Sequence, residues 1–206
     1  MLTATRIRDK RMYTVLGGLR SRTFRVLWML EEIGQGYEHR AAAPRSDEVK
    51  EHSPSGKIPV LLEQGTAITD STAILTYLGD SHGKLTFPAG TLQRAHQDGH
   101  TQFVLDEMDA LLWTASRHSF ILPEDMRVPQ IKDSLKTEYE TSLDRLAERL
   151  GDGPFLMGDD ITIPDIIATH CCNWAITAKF PEPPATVVAY LERMRARDAY
   201  LRVQNL

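Results

Sequence analysis

The periodicity of this chain changes once, near residue 80, and that change constrains its fold most. Before it, short β-branched or aromatic runs alternate with helical patterns; after it, every regular signal has the period of a helix. Tyr13 to Leu16 is a short strand ended by Gly17-Gly18, and Phe24, Leu27, Leu30 and Ile33 then mark a helix from Thr23 stopped by Gly34. The middle that follows gives no clear period. Ile58 to Leu62 reads as a strand, Gln64-Gly65 as a tight turn, Ala67 to Thr69 as its hairpin partner and Ser71 to Asp80 as a helix. Gly83, Pro88 and Gly90 lie in a linker. Beyond it, Ile131, Leu135, Tyr139, Leu143, Leu146 and Leu150 form an amphipathic stripe, repeated near the end by Val187 or Val188, Leu191 and Met194. The expected architecture is a small α/β domain over 12–82, a linker over 83–91 and an all-helical domain over 92–206.

Composition removes several classes of function. The 206 residues fit one to two domains at roughly 150 residues each. No apolar run exceeds five residues, whereas a membrane-spanning helix needs about twenty, so no membrane partner is expected. A formal net charge of −4 offers no cationic face to phosphates, so no nucleic-acid partner is expected. The two cysteines, Cys171 and Cys172, are neighbours and cannot staple distant segments; a reducing, cytoplasmic setting fits, with both thiols filling a helix core. The basic leader, residues 1–11, reads as disordered, a targeting peptide or a translational start at Met12 being the other readings. No His-Glu-x-x-His or similar ligand spacing is present, so no metal is expected.

Four local signals remain. Pro59 opens an apolar strand to which it cannot donate a ladder hydrogen bond, which places it at an edge or a bend. An X-Pro bond there is also a candidate cis peptide, which would turn the Ile58 backbone toward a ligand. Asp70-Ser71 leaves a strand and opens a helix, either as a plain cap or as a corner for a carboxylate and an ammonium. Ser21 precedes the first helix, where its hydroxyl either caps or donates to a ligand thiolate favoured by the helix dipole. Thr162-Ile163-Pro164-Asp165 is a capping box, with Ile161 and Ile166 as its staple and Pro164 in the first turn; it is a folding element.

Together these residues resemble the soluble glutathione S-transferase family. Arg20 to Trp28 is similar to the start of that family's first helix. Ser53-Pro54-Ser55-Gly56-Lys57-Ile58-Pro59-Val60-Leu61 is similar to its Asn-Pro-x-Gly-Lys-Val-Pro-Val-Leu stretch. Ile68-Thr69-Asp70-Ser71-Thr72-Ala73-Ile74 resembles its acidic-Ser-x-Ala-Ile element, and Gly158 with Thr162 to Asp165 its second capping box. The resemblance runs from Tyr13 to about Leu201. It implies a thioredoxin-like N-terminal domain with a cis-proline, a helical C-terminal domain and a homodimer. Ile58 and Pro59 would pair with the cysteinyl backbone of glutathione, Asp70 and Ser71 would hold its γ-glutamyl end, and Lys57 would face a carboxylate. Arg40, Arg45, Lys50 and His52 are candidates for the glycyl carboxylate. Ser21 is the implied thiol activator, with Thr23 as fallback, since Tyr13 falls inside the strand and no cysteine lies in the first loop. An alignment counted from Val26 instead puts Arg20 at the hydroxyl position.

The resemblance further implies a co-substrate, glutathione, whose thiolate attacks an electrophilic, largely apolar small molecule in a detoxification role. Trp113 and Arg117, four apart on one helix face, and nearby Phe120 are candidates for the pocket of that second substrate. The bland alternatives are core packing for Trp113, a solvated charge for Arg117 and a surface histidine at His118. Another glutathione-dependent enzyme (isomerase, dehalogenase or disulfide reductase) or a non-catalytic binding protein on the same fold are the rival readings.

Overall fold

The structure, a computed structural model, describes residues 12–206; the expected leader, residues 1–11, lies outside them. Contacts divide the chain into two units, with the cut between Leu75 and Thr76.

The first unit is built on a four-stranded mixed sheet of order β2-β1-β3-β4. Strand β1 (Tyr13–Leu16) is followed by α1 (Thr23–Ile33), β2 (Tyr37–Arg40), α2 (Asp47–His52), β3 (Val60–Glu63) and β4 (Thr66–Thr69). Strands β1 and β2 are parallel, and β3 runs antiparallel to both β1 and β4. This is the thioredoxin-like arrangement. Helix α1 ends at Gly34, whose left-handed φ of 73° closes the cap onto Glu31 and Leu30 carbonyls. The hairpin turn at Gln64-Gly65 has φ of 49° and 80°, the two positive values that match the strand twist.

Three elements differ from the sequence expectation. Strand β3 begins at Val60, two residues later than Ile58, because Pro59 has no N–H to give the ladder; the Ile58-Pro59 peptide bond is cis. The unreadable middle holds β2 and α2. Strand β2, Tyr-Glu-His-Arg, alternates half-buried and exposed residues at the sheet edge and so lacks an apolar run. Helix α2 is six residues anchored by one buried side chain, Val49, which joins Leu16, Ala42 and Val60 in a small core. Its signal was the N-cap Ser46, which accepts from Val49 N–H, followed by Asp47 and Glu48.

Helix α3 (Ser71–His82) contains the cut between the units. Its last turns cluster with the second unit, ahead of the expected boundary at residue 82. Asp80 Oδ1 lies 2.6 Å from Arg94 Nη1, and a Cβ on Gly79 would stand 3.1 Å from Thr86 and 3.3 Å from Ile163. The segment after α3 is held by α4: Phe87 N–H donates to Gln97 Oε1, and Arg94 Nη1 donates to Phe87 carbonyl.

The second unit is helical: α4 (Leu92–Val104), α5 (Ala110–Ser116), α6 (Ile131–Leu150), α7 (Ile163–Thr177), α8 (Ala185–Arg195) and α9 (Asp198–Gln204). Leu105–Asp109 and Arg117–Ile121 are π-helical turns that run on from α4 and α5. The α6 stripe buries Leu135, Tyr139, Leu143, Leu146 and Leu150. In α8 it is Val187 that is buried, while Val188 is 40% exposed. Among the described residues no helix is long and apolar enough to cross a membrane.

Candidate active site

Strand register alone brings two of the sequence signals, Pro59 and Asp70-Ser71, to one end of the sheet, beside the start of the first loop. Val60 is paired with both Leu16 and Thr69. The residues just beyond that rung are therefore Gly17 after β1, Ile58-Pro59 before β3, and Asp70-Ser71 after β4. Backbone turns and helix starts, rather than long side chains, make up this edge.

The first loop is tightly packed there. Gly17 has φ of 139°, and a Cβ on it would fall 2.1 Å from Thr23 Oγ1 and 3.1 Å from Ile58 Cβ, so only glycine fits. His39 Nε2 sits 2.8 Å from the Gly17 carbonyl oxygen. Ser21, half-buried, caps the start of α1 by accepting from Thr23 N–H at 3.1 Å. Its own hydroxyl donates to the Gly18 carbonyl at 2.7 Å, with Thr23 Oγ1 at 2.9 Å. Thr23 and Tyr13 are fully buried, and Arg20 is exposed.

The loop before β3 turns at Gly56, φ 67°, where any Cβ would strike Arg45, 2.9 Å from Cγ and 3.0 Å from Cα. Arg45 N–H donates to the Gly56 carbonyl at 2.8 Å, and Lys57 is exposed beside it. Of the other basic candidates, Arg40 is already engaged with Glu38 and Glu48 at 2.9 and 3.5 Å. Its guanidinium holds the Glu38 carboxyl below the usual carboxylate range. Lys50 lies 4.0 Å from Asp47, and His52 is half-buried at the end of α2.

At the third corner Asp70 takes the left-handed φ of 72°. Its Oδ1 accepts from Thr72 and Ala73 N–H at 2.9 and 3.2 Å, so the carboxylate caps α3 while remaining exposed. Ser71 is 3% exposed, and its Oγ accepts from Arg25 Nη1 at 3.4 Å. Arg25 is fully buried on α1. The sequence reading missed it, and its only signal was a charge at an otherwise apolar position of the first helix.

In the second unit Trp113 is half-buried on α5. Arg117, which opens the second π turn, donates Nη2 to Thr114 Oγ1 at 3.1 Å. Phe120 on that turn is 65% exposed. His118 has a structural partner, accepting at Nδ1 from Val128 N–H. Both cysteines are buried; Cys172 Sγ is 4.0 Å from Tyr139 Oη, and burial pushes its thiol up to about 12. Asp165, fully buried, accepts from Leu156 N–H and Tyr190 Oη on one oxygen and from Thr162 N–H and Oγ1 on the other. Burial raises its carboxyl from the ordinary value despite those donors.

A thioredoxin-like sheet with a cis-proline before β3, an acid-serine start to α3 and a cysteine-free first loop, followed by a helical unit, is a two-domain architecture. Residues 21–81 match the glutathione S-transferase N-terminal domain, and residues 129–204 match the C-terminal domain. The chain belongs to the glutathione S-transferase family.

Glutathione S-transferase GstA of Escherichia coli O157:H7 is 26% identical over 149 residues, covering 70% of this chain and 71% of that protein. Two solved structures share the fold. The beta-etherase LigF of Sphingobium sp. strain SYK-6 superposes with a TM-score of 0.81 at 21% identity, over 94% of this chain and 98% of its own. The theta class glutathione S-transferase of Xanthomonas axonopodis pv. citri, with glutathione bound, gives 0.75 at 23% identity, over 92% and 95%.

Proposed function

We propose that this protein is a glutathione transferase that activates the thiol of glutathione for attack on an electrophilic, largely apolar small molecule, in detoxification. The convergence of Ile58-Pro59 and Asp70-Ser71 on one sheet edge beside Gly17 carries this reading, because the first offers its backbone to the middle of the tripeptide and the second a polar corner to its γ-glutamyl end. The Ile58 backbone pairs with the cysteinyl unit. Asp70 takes the γ-glutamyl ammonium and Ser71 its carboxylate, while Lys57 and Arg45 meet carboxylates from the loop before β3. The enzyme works in the cytoplasm as a homodimer, with the 12–82 segment holding glutathione, 83–91 linking and the 92–206 segment contributing Trp113, Arg117 and Phe120 to the second substrate.

A free thiol near pKa 8.5 is only a few per cent ionised at neutral pH, and the thiolate is the nucleophile. Ser21 supplies the activating hydrogen bond by turning its hydroxyl from the Gly18 carbonyl to the sulfur, while keeping Thr23 N–H as its own donor. With the positive end of α1 beside it, that donor lowers the thiol pKa by about one to two units. Ser21 stabilises the anion and does not attack.

Calorimetry of glutathione binding, with thiolate absorbance followed against pH in wild type and Ser21→Ala, tests both claims. A thiol pKa depressed in wild type and about one unit higher in the variant is the expected result. Equal depression in both proteins removes Ser21 and moves the role to Thr23 or the backbone. Absence of glutathione binding in wild type overturns the enzymatic reading.

A further inference from the structure

A fully buried arginine in a small α/β domain needs a reason, because moving a guanidinium out of water costs several kcal/mol by the usual estimate of about that size. Arg25 sits in the first turn of α1 with no exposed surface, and one of its nitrogens reaches the Ser71 hydroxyl at the start of α3. Ser71 is itself almost wholly buried. Its oxygen is therefore occupied from beneath by a cation, which can only donate.

That geometry settles what the serine hydroxyl does. An oxygen that accepts from a guanidinium directs its own hydrogen elsewhere, and donation from a charged group strengthens the next hydrogen bond in the chain. Register places Ser71 at the sheet edge shared with Pro59 and Asp70. Asp70 meanwhile takes two of the N–H groups that open α3, and the Ser71 hydroxyl adds a side-chain donor to this corner.

We propose that Arg25 is a positioning residue for the γ-glutamyl carboxylate: it fixes Ser71 as a hydrogen-bond donor. This rests on the reading of Ser71 as a glutathione contact. It adds a residue that touches no substrate and acts through the serine.

The test is ligand discrimination. Glutathione and 4-aminobutyryl-cysteinyl-glycine, which lacks only the γ-glutamyl α-carboxylate, are titrated calorimetrically into wild type, Ser71→Ala, Arg25→Met and Arg25→Lys. Wild type should prefer glutathione by roughly ten- to a hundredfold, the size expected of hydrogen bonds to a charged group. Ser71→Ala and Arg25→Met should both bring that preference to within about threefold, and the double variant should be no worse than either alone. If Arg25 only supports the fold, Arg25→Met weakens both ligands equally and the preference stays as in wild type, which overturns the proposal. Should Arg25→Met not fold, Arg25→Lys decides: a compact ammonium loses the planar reach to Ser71, so the preference must fall, and an unchanged one overturns the proposal equally. Wild type binding both ligands alike also overturns it. Wild type binding neither overturns instead the glutathione reading on which it rests.

Discussion

Two helix starts in this protein use the same residue types and end up with opposite exposure to solvent. Asp70-Ser71 opens α3, and Thr162 to Asp165 opens α7. Each pairs a carboxylate with a hydroxyl at the N-terminus of a helix, and each caps. Asp70 spends one oxygen on two backbone N–H groups and stays exposed. Asp165 has no exposed surface, and both oxygens are taken, by Leu156, Tyr190 and Thr162 twice. The motif therefore does not separate the two corners. Solvent access does, because a satisfied buried carboxylate has no lone pair left for a ligand, whereas an exposed cap does.

The same substitution at both corners should separate them. Asp165→Asn puts an amide N–H against donors on one side of the carboxylate and should cost about 3 kcal/mol in urea unfolding, the range for leaving buried donors unmet. A loss under about 1 kcal/mol would mean the network tolerates rearrangement and would blunt the contrast. Buried thiols offer a second way to break it. With the Cys172 thiol pushed up to about 12, only about one molecule in ten thousand carries that thiolate at pH 8, since each unit of pKa is tenfold. A disulfide reagent should leave both cysteines unmodified in the folded protein at pH 8 and titrate two equivalents in denaturant. Labelling of the native state would show that the helical unit opens to solvent. The smallest effect on stability belongs to Asp70→Asn, which keeps the Oδ1 cap and tolerates the left-handed backbone: within about 0.5 kcal/mol of wild type. Its glutathione affinity should nonetheless fall roughly tenfold, as expected for a lost charge-assisted bond. Unchanged affinity would leave Asp70 as a cap and nothing more.

Much of the fold was legible because the elements announce themselves locally. Glycine at 34 stops α1, Gln64-Gly65 makes the hairpin, and a twenty-residue apolar stripe marks α6. Strand β2 and helix α2 were not legible. Strand β2 is stabilised by pairing with β1 and α2 by the single side chain of Val49, and neither contact leaves a local period. The two π turns flanking α5 were equally silent, since a one-residue widening leaves the surrounding pattern helical.

The sequence by itself determined which groups are available: a proline that must leave the ladder, an acid and a serine that must cap, a first loop with hydroxyls and no thiol. Tertiary structure decided which of them meet. Register placed Gly17, Ile58-Pro59 and Asp70-Ser71 on one edge although they lie up to 54 positions apart in the sequence. Packing put Arg25 under Ser71 across 46 residues and sealed Asp165 and both cysteines away. Local sequence sets what a residue can donate or accept within a turn. Solvent exposure and partners many residues away are properties of the folded chain, and they decide which caps are sealed and which stay open to a ligand.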